Sequence, residues 1–325
     1  MRLSFFVYLV LLSFGSRAVP APPDTLRPNS PDRLLSYTYA NDLFFRTDYY
    51  FTQGMTLTLV HPALARLPVA HLLVSGPTGS VQYHGIALRY DGFTPLRIQD
   101  PFIRVGDRPY AAYGYASFFR VSNQPARHQR LTTALEIGFI GPAAGGKELQ
   151  TTIHRLTNNA EPRGWDYQIG NAPIVGYCVT FEKQLASTRH AELLGTTGAS
   201  LSTLYTYAGT GARLRVGLFN PCFANLGVAG PAGRTGLHCW QLYGQAAVEG
   251  RLIGYDATLQ GNVFTNSDPY TLATGAVRRT VLRSSGSVVL AHAGLSFAAT
   301  ATWVSPEFSG GRPHRWGQLG VTMAF

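Results

Sequence analysis

Segment after segment of this chain alternates apolar with small or polar residues, and that period of two is what most limits its possible folds. In Phe51 to Leu59, Phe51, Met55, Leu57 and Leu59 fall on one face, and Thr52, Gly54, Thr56 and Thr58 on the other. Ile174 to Lys183 sets Val175, Tyr177, Val179 and Phe181 against Gly176, Cys178, Thr180 and Glu182. The last segment sets Leu319, Val321, Met323 and Phe325 against Gln318, Gly320, Thr322 and Ala324. Side chains on a strand point alternately to opposite sides, so each segment has one greasy face and one mixed face. No later stretch reaches the roughly 18 apolar residues that would mark a membrane-crossing helix. The pattern predicts an all-β fold, a transmembrane antiparallel β-barrel of about twelve strands. A secreted β-sandwich or lectin-like protein is the soluble alternative.

Composition favours the barrel. Charged residues make up 14% of the chain, against about 25% in ordinary soluble domains. With 17 Tyr, 18 Phe and 35 Gly, the apolar surface is spread over many short alternating segments. Residues 1–18 read as a signal peptide: Arg2, an apolar run from Leu3 to Phe14, then Ser16-Arg17-Ala18. Residues 19–33 form a Pro-rich segment and residues 34–325 one barrel domain. The expected destination is the cell outer membrane. Without Arg2 and Arg17 the net charge falls from +10 to +8, which suits an anionic, phosphorylated lipid headgroup. Export makes nucleic acid and nucleotide poor candidates. Ending on Phe325 resembles the signal that outer-membrane barrels present to the barrel-assembly machinery.

Further strands are expected around Leu34–Phe45, Val81–Tyr90, Ala111–Ser122, Leu131–Ile140, Leu193–Tyr207, Leu214–Phe219, Leu242–Tyr255 and Val288–Trp303, the longer of which have room for a hidden turn. Gly141 to Asn159 breaks the alternation. Its Lys147, Gln150 and His154 share one helix face, so a short lumen or rim helix is expected there. GPAAGGKE within it comes close to a phosphate-binding loop, but Glu148 stands where Ser or Thr would be needed. Cys178, Cys222 and Cys239 form no CxxC pair, so a zinc site is not expected; Cys222 and Cys239 could close a loop disulfide. Asp107-Arg108, and Glu249 with Arg251, read as lumen ion pairs. No GxSxG elbow is present.

A set of motifs in fixed order carries the functional reading. Ala40-Asn41-Asp42-Leu43-Phe44-Phe45 precedes Tyr50-Phe51-Thr52-Gln53-Gly54, then Asp107-Arg108-Pro109-Tyr110-Ala111 and Ile140 to Gly146. Gln150, His154, Gly164-Trp165-Asp166, Val248 to Arg251, Gly261-Asn262 and Pro306-Glu307-Phe308 follow. From Ala40 to Phe325 the chain resembles the outer-membrane lipid A 3′-O-deacylase family. That resemblance implies a twelve-stranded barrel that hydrolyses the ester holding the 3′-acyloxyacyl chain of lipid A, the anchor of lipopolysaccharide, with calcium. It makes His154 the general base and Gln150 a positioning residue. Asn41, Asp42 and Thr52 become strand residues facing the helix, with Asp42 a calcium ligand. A second calcium partner falls at Glu161, or at Ala160 if Trp165 is kept in register. Lys147, Arg97 and Arg104 are candidates for lipid A phosphates. By strand parity, Thr52 belongs on the lumen face, with Ser36, Thr38, Ala40 and Asp42, while Asn41 faces lipid. The competing functions are a non-catalytic pore or structural barrel and an outer-membrane phospholipase.

Overall fold

The computed structural model describes residues 28–325 except 46, 48, 265 and 266; the expected signal segment lies outside the described residues. Twelve antiparallel strands close on themselves through the pairing of the first with the last. They are β1 (Leu34–Asn41), β2 (Tyr50–Val60), β3 (Val81–Thr94), β4 (Ala111–Gln124), β5 (Gln129–Ile140), β6 (Ala172–Ser187), β7 (Ala191–Ser202), β8 (Tyr205–Leu218), β9 (Trp240–Asp256), β10 (Thr280–His292), β11 (Leu295–Val304) and β12 (His314–Ala324). Two segments each hide a hairpin: Leu193–Tyr207 turns between β7 and β8, and Val288–Trp303 turns at Ala293 between β10 and β11. The segment expected at Leu34–Phe45 stops being a strand at Asn41, and Asp42–Phe45 winds into one 3-10 turn.

Alternation sorts the wall. Arg89, Asp91 and Phe93 of β3, Tyr113 and Tyr115 of β4, Glu136 of β5, Arg251 of β9 and Arg283 of β10 surround one internal cavity of about 210 Å³. Residues contributed from so many strands can converge only inside the barrel. Their neighbours point out, and there Val175 is 54% exposed and Phe181 36%, as the period of two requires of a lipid-facing belt. No helix among the described residues is long and apolar enough to cross a membrane; the strands do the crossing.

One rim carries both ends of the barrel sequence, three tight connections, 125–128, 188–190 and 293–294, and two longer ones, 61–80 and 219–239, though the longest connection, 141–171, is on the other. The other carries the long connections 95–110, 141–171 and 257–279. Outer-membrane barrels put their longer loops outside the cell, which makes this second rim the outer one.

Both mouths are filled. At the inner rim, residues 219–230 fold back into the lumen, where Val228 packs with Leu34, Val60, Tyr83 and Val121. Asn123 donates to the Phe223 carbonyl at 2.7 Å, and Arg130 to the carbonyls of Cys222 and Asn225 at 2.7 and 2.8 Å. The three cysteines are free thiols. In place of the disulfide considered above, Asn220 links the ends of this loop, bonding the His238 carbonyl at 3.1 Å and its amide at 2.7 Å. At the outer rim, α2 (Ala257–Gln260) and its neighbours form a cap in which Leu259, Leu272 and Phe308 pack on Tyr50.

Arg108 fastens that cap. Its fully buried guanidinium reaches the Glu307 carboxylate at 2.6 Å and the Thr258 hydroxyl at 2.6 Å, and lies 4.2 Å above the Phe93 ring. The Asp107–Arg108 ion pair expected from sequence does not form. Adjacent residues on an extended chain diverge, and Asp107 instead binds Arg104 at 3.1 Å and the Leu96 amide at 2.9 Å. Glu249 and Arg251, two apart on β9, do pair at 2.9 Å. Arg108→Ala strands Glu307 in the interior and should cost about 3–5 kcal/mol. Heat-modifiability on gels should show an earlier unfolding midpoint, with the exposed Arg155→Ala unchanged. Equal midpoints for Arg108→Ala and the wild type would show that the clamp does not hold the cap.

Candidate active site

The expected helix forms as α1 (Gly146–Leu156). Lys147, Glu148, Leu149 and Gln150 are good helix formers. Gly145 enters the helix at φ 71, a left-handed conformation that glycine adopts at little cost. Asn158 leaves it at φ 53, and the Asn159 amide closes on the His154 carbonyl at 2.8 Å. The residues α1 buries are Gly146, Gln150 and His154, spaced by four and therefore on one face. At Gly146 the fit is tight: a β-carbon would come within 2.6 Å of Ala112 and of Trp165.

Ala112 settles which side of the wall α1 occupies. Tyr113 and Phe93 line the lumen, so Ala112 and its cross-strand partner Gly92 face outward. The helix therefore sits against the outer wall at the outer rim, not in the lumen.

The residues under the helix are re-aimed by a β-bulge. Pairing of β2 with β3 slips at Thr52, so that Phe51 opposes Phe93 and Gln53 opposes Gly92. A bulge puts two residues opposite one and shifts the phase of alternation. Phe51, expected with Met55, Leu57 and Leu59 on the outer face, turns inward and stacks on Trp316 with ring centroids 4.4 Å apart. Thr52, expected on the lumen face, turns outward beside Gln53. Both crowd the outer side of Gly92, where a β-carbon would lie 3.4 Å from the Thr52 methyl and 3.7 Å from Gln53. Asn41 pairs with Gln53 across β1 and β2 and shares this outer face.

These groups are tied together. Gln150 donates from Nε2 to the Thr52 hydroxyl at 3.3 Å. Its Oε1 accepts the Trp165 indole N–H at 2.7 Å. An indole can only donate, so it fixes which end of the amide faces Thr52. Asn41 accepts the Leu43 amide at 2.8 Å and donates to the Tyr39 hydroxyl at 3.1 Å; Asp42, next in sequence, is buried.

His154 is oriented by backbone. Its Nδ1 lies 2.6 Å from the Ala160 carbonyl. A carbonyl only accepts, so Nδ1 carries the hydrogen and the neutral ring leaves Nε2 as the basic nitrogen. Glu161 is not part of this group. It is half exposed and bound to Arg155 at 2.8 and 3.2 Å, and the guanidinium holds its carboxyl below the usual range. Among the described residues, no three His, Cys, Asp or Glu side chains gather as a metal site. Oxygen donors follow one another along these strand ends: Asn41 ends β1 opposite Gln53, the neighbour of Thr52, and Asp42 comes next. That donor set fits a hard cation.

The phosphate candidates are spread. Lys147 stands at the start of α1 and pairs with Asp166 at 2.6 Å. Arg104 is shared between Asp100 and Asp107, and Arg97 is largely exposed, 3.8 Å from Asp100. Trp165 and Gln53 stand within the ordered motifs, but the sequence alone assigns them no role. The available signal for Trp165 was a lone tryptophan in the Gly-Trp-Asp string shortly after the helix.

A closed antiparallel barrel with a short helix docked on its outer wall over a polar bulge defines a class, the outer-membrane β-barrels with a site at the lipid boundary. A family model described as outer membrane protein LpxR matches residues 5–325. The chain belongs to that family, the lipid A deacylases of the outer membrane. LpxR from Salmonella typhimurium superposes with a TM-score of 0.70 at 20% identity, covering 90% of this chain and 100% of that one. The β domain of the Bordetella autotransporter BrkA gives 0.48 at 9% identity, covering 91% of this chain and 100% of that one. No curated protein sequence matches the chain.

The Trp165–Gln150–Thr52 chain of bonds should govern how firmly α1 holds the wall. Trp165→Phe keeps the ring but loses the donor. Amide hydrogen exchange should accelerate across Gly146–Leu156 while strand amides keep their protection. Unchanged exchange in the helix would mean that apolar contact at Gly146 suffices.

Proposed function

We propose that this barrel hydrolyses the ester holding the 3′-acyloxyacyl chain of lipid A, with His154 as general base. The observation that carries the reading is the His154 ring, fixed through Nδ1 to the Ala160 carbonyl and buried between α1 and an outward-facing wall. A soluble substrate would be better served by a lumen or a loop cleft. A site on the outer wall at the outer rim faces the leaflet in which lipopolysaccharide resides. The pore alternative is disfavoured by the filled mouths, and an outer-membrane phospholipase of the Ser-His kind by the His154 ring, which among the described residues bonds the Ala160 carbonyl and no serine hydroxyl.

In this mechanism His154 Nε2 takes a proton from water as the water oxygen attacks the ester carbonyl carbon. The tetrahedral oxyanion then collapses, the bond to the sugar oxygen breaks, and that oxygen takes the proton back from the imidazolium. The products are a free sugar hydroxyl and a fatty acid. Gln150 and Thr52 position the water and the ester carbonyl; Asn41 holds the Asp42 turn in place. Calcium, held by Asp42 with the Asn41 and Thr52 oxygens, would supply positive charge for the developing oxyanion. Glu161 would join only by leaving Arg155. Lys147, Arg97 and Arg104 are the cations proposed to meet lipid A phosphates at the rim. Signal-peptide export and insertion by the barrel-assembly machinery complete the proposal.

Mass spectrometry of lipid A from cells with and without the protein tests the reaction; an unchanged acyl count would sink it. His154→Ala should insert normally and lower the rate by about a hundredfold or more, the scale of a general base. Gln150→Ala should lose less. For the metal, excess chelator should abolish deacylation by the purified barrel and added calcium should restore it. Full activity in chelator would remove calcium from the mechanism.

A further inference from the structure

An open apolar groove of about 630 Å³ runs along the outer wall over β8 to β12, and the row of residues that floors it runs on toward the candidate site. Its floor is one row of directly paired residues, Leu214, Ala246, Gly286, Ala301 and Gly317. The same row continues from Gly317 to Asn41 and then Gln53. Small side chains sink the floor. Val288 and Leu319 from the adjacent row stand along one side, and Trp303 marks the row beyond the other. Phe44 and Phe45, next but one and next but two after Asp42, line the upper end. Phe44 lies so near Gly317 that a β-carbon there would come within 2.7 Å of it.

The row also changes depth. Asn41 is the last residue of β1 at the outer rim, and Gly317 and Ala301 lie close to that rim on β12 and β11. Ala246 lies well inside β9, and Leu214 is nearer the inner end of β8 than the outer. Strands tilted by roughly 35–45° carry a perpendicular row obliquely down the wall. The groove therefore starts near the outer rim by Phe44, Phe45 and Gly317 and descends into the hydrocarbon.

We propose that this groove seats the acyl chain whose ester is presented at Asn41 and Thr52, and so sets which chain lengths are cleaved. The proposal rests on the deacylase reading above. The occupant is the substrate's own chain, because the paired row that floors the groove continues from Gly317 to Asn41 and Gln53 at the candidate site, and the groove opens along its length on the lipid-facing belt.

Gly286 allows a clean test: a β-carbon there meets nothing within 4 Å, so Gly286→Leu fills the groove without straining the wall. Gly250, on the neighbouring strand β9 and also open, lies outside the groove and serves as control. The full-length barrel in liposomes would be assayed on lipid A bearing its native chain and on an analogue with a shortened one. Gly286→Leu should lower cleavage of the native chain by about tenfold or more and spare the shortened one, while Gly250→Leu behaves as wild type on both. Lipid A carrying a diazirine near its chain terminus should label peptides of β8 to β10 in the wild type, and diazirine phosphatidylethanolamine should not concentrate there. Equal rates for Gly286→Leu and wild type on the native chain, even labelling around the barrel, or equal labelling by both lipids would overturn the proposal. Groove labelling by lipid A in a wild-type barrel that cleaves nothing would uphold the seat and remove the deacylase reading instead.

Discussion

Hydrocarbon offers no hydrogen bonds, so every strand crossing it must find its backbone partners in a neighbouring strand. An open sheet would leave two edges unsatisfied at several kcal/mol for each exposed group. Pairing β1 with β12 removes both edges, and that closure is what the remaining structure depends on. It forces an inside and an outside on every strand. It also makes any slip in pairing visible as a change of side.

The slip at Thr52 is such a change. A regular β2 would have sent Phe51 outward and Thr52 inward. The extra residue opposite Gly92 reverses both, sending an aromatic ring into the lumen packing around Trp316 and a hydroxyl to the outer wall. A polar group facing lipid is costly unless it is covered. The covering is α1, whose Gln150 binds that hydroxyl and is held in turn by Trp165. Bulge and helix thus explain each other: neither polar surface would be tolerable at the lipid boundary without the other.

Much of this was legible in the sequence because the period of two is a property of neighbouring residues. Val175 and Phe181 face out as alternation requires, and Gln150 and His154 share a buried helix face as their spacing requires. What alternation could not reveal was a bulge, since an inserted residue leaves no mark in composition and only shifts the phase. That is why Thr52 and Phe51 were assigned to the wrong sides, and why a helix with polar residues suggested the lumen as readily as the rim. Arg108 was misplaced for a related reason. Its partner Glu307 lies at the far end of the chain, whereas a sequence reading offers only the neighbour, Asp107. The ordered set of motifs still points to the helix and the strand ends beneath it, since order along the chain survives a local change of phase.

The filled mouths of the barrel bear on the cell as well as on the molecule. An outer membrane excludes many toxic solutes, and each open channel weakens that exclusion. Here the loop at 219–230 and the cap around Leu259 and Phe308 pack across the two ends of the interior and leave a small cavity between them. A chain built this way can be abundant in the envelope without making it leaky.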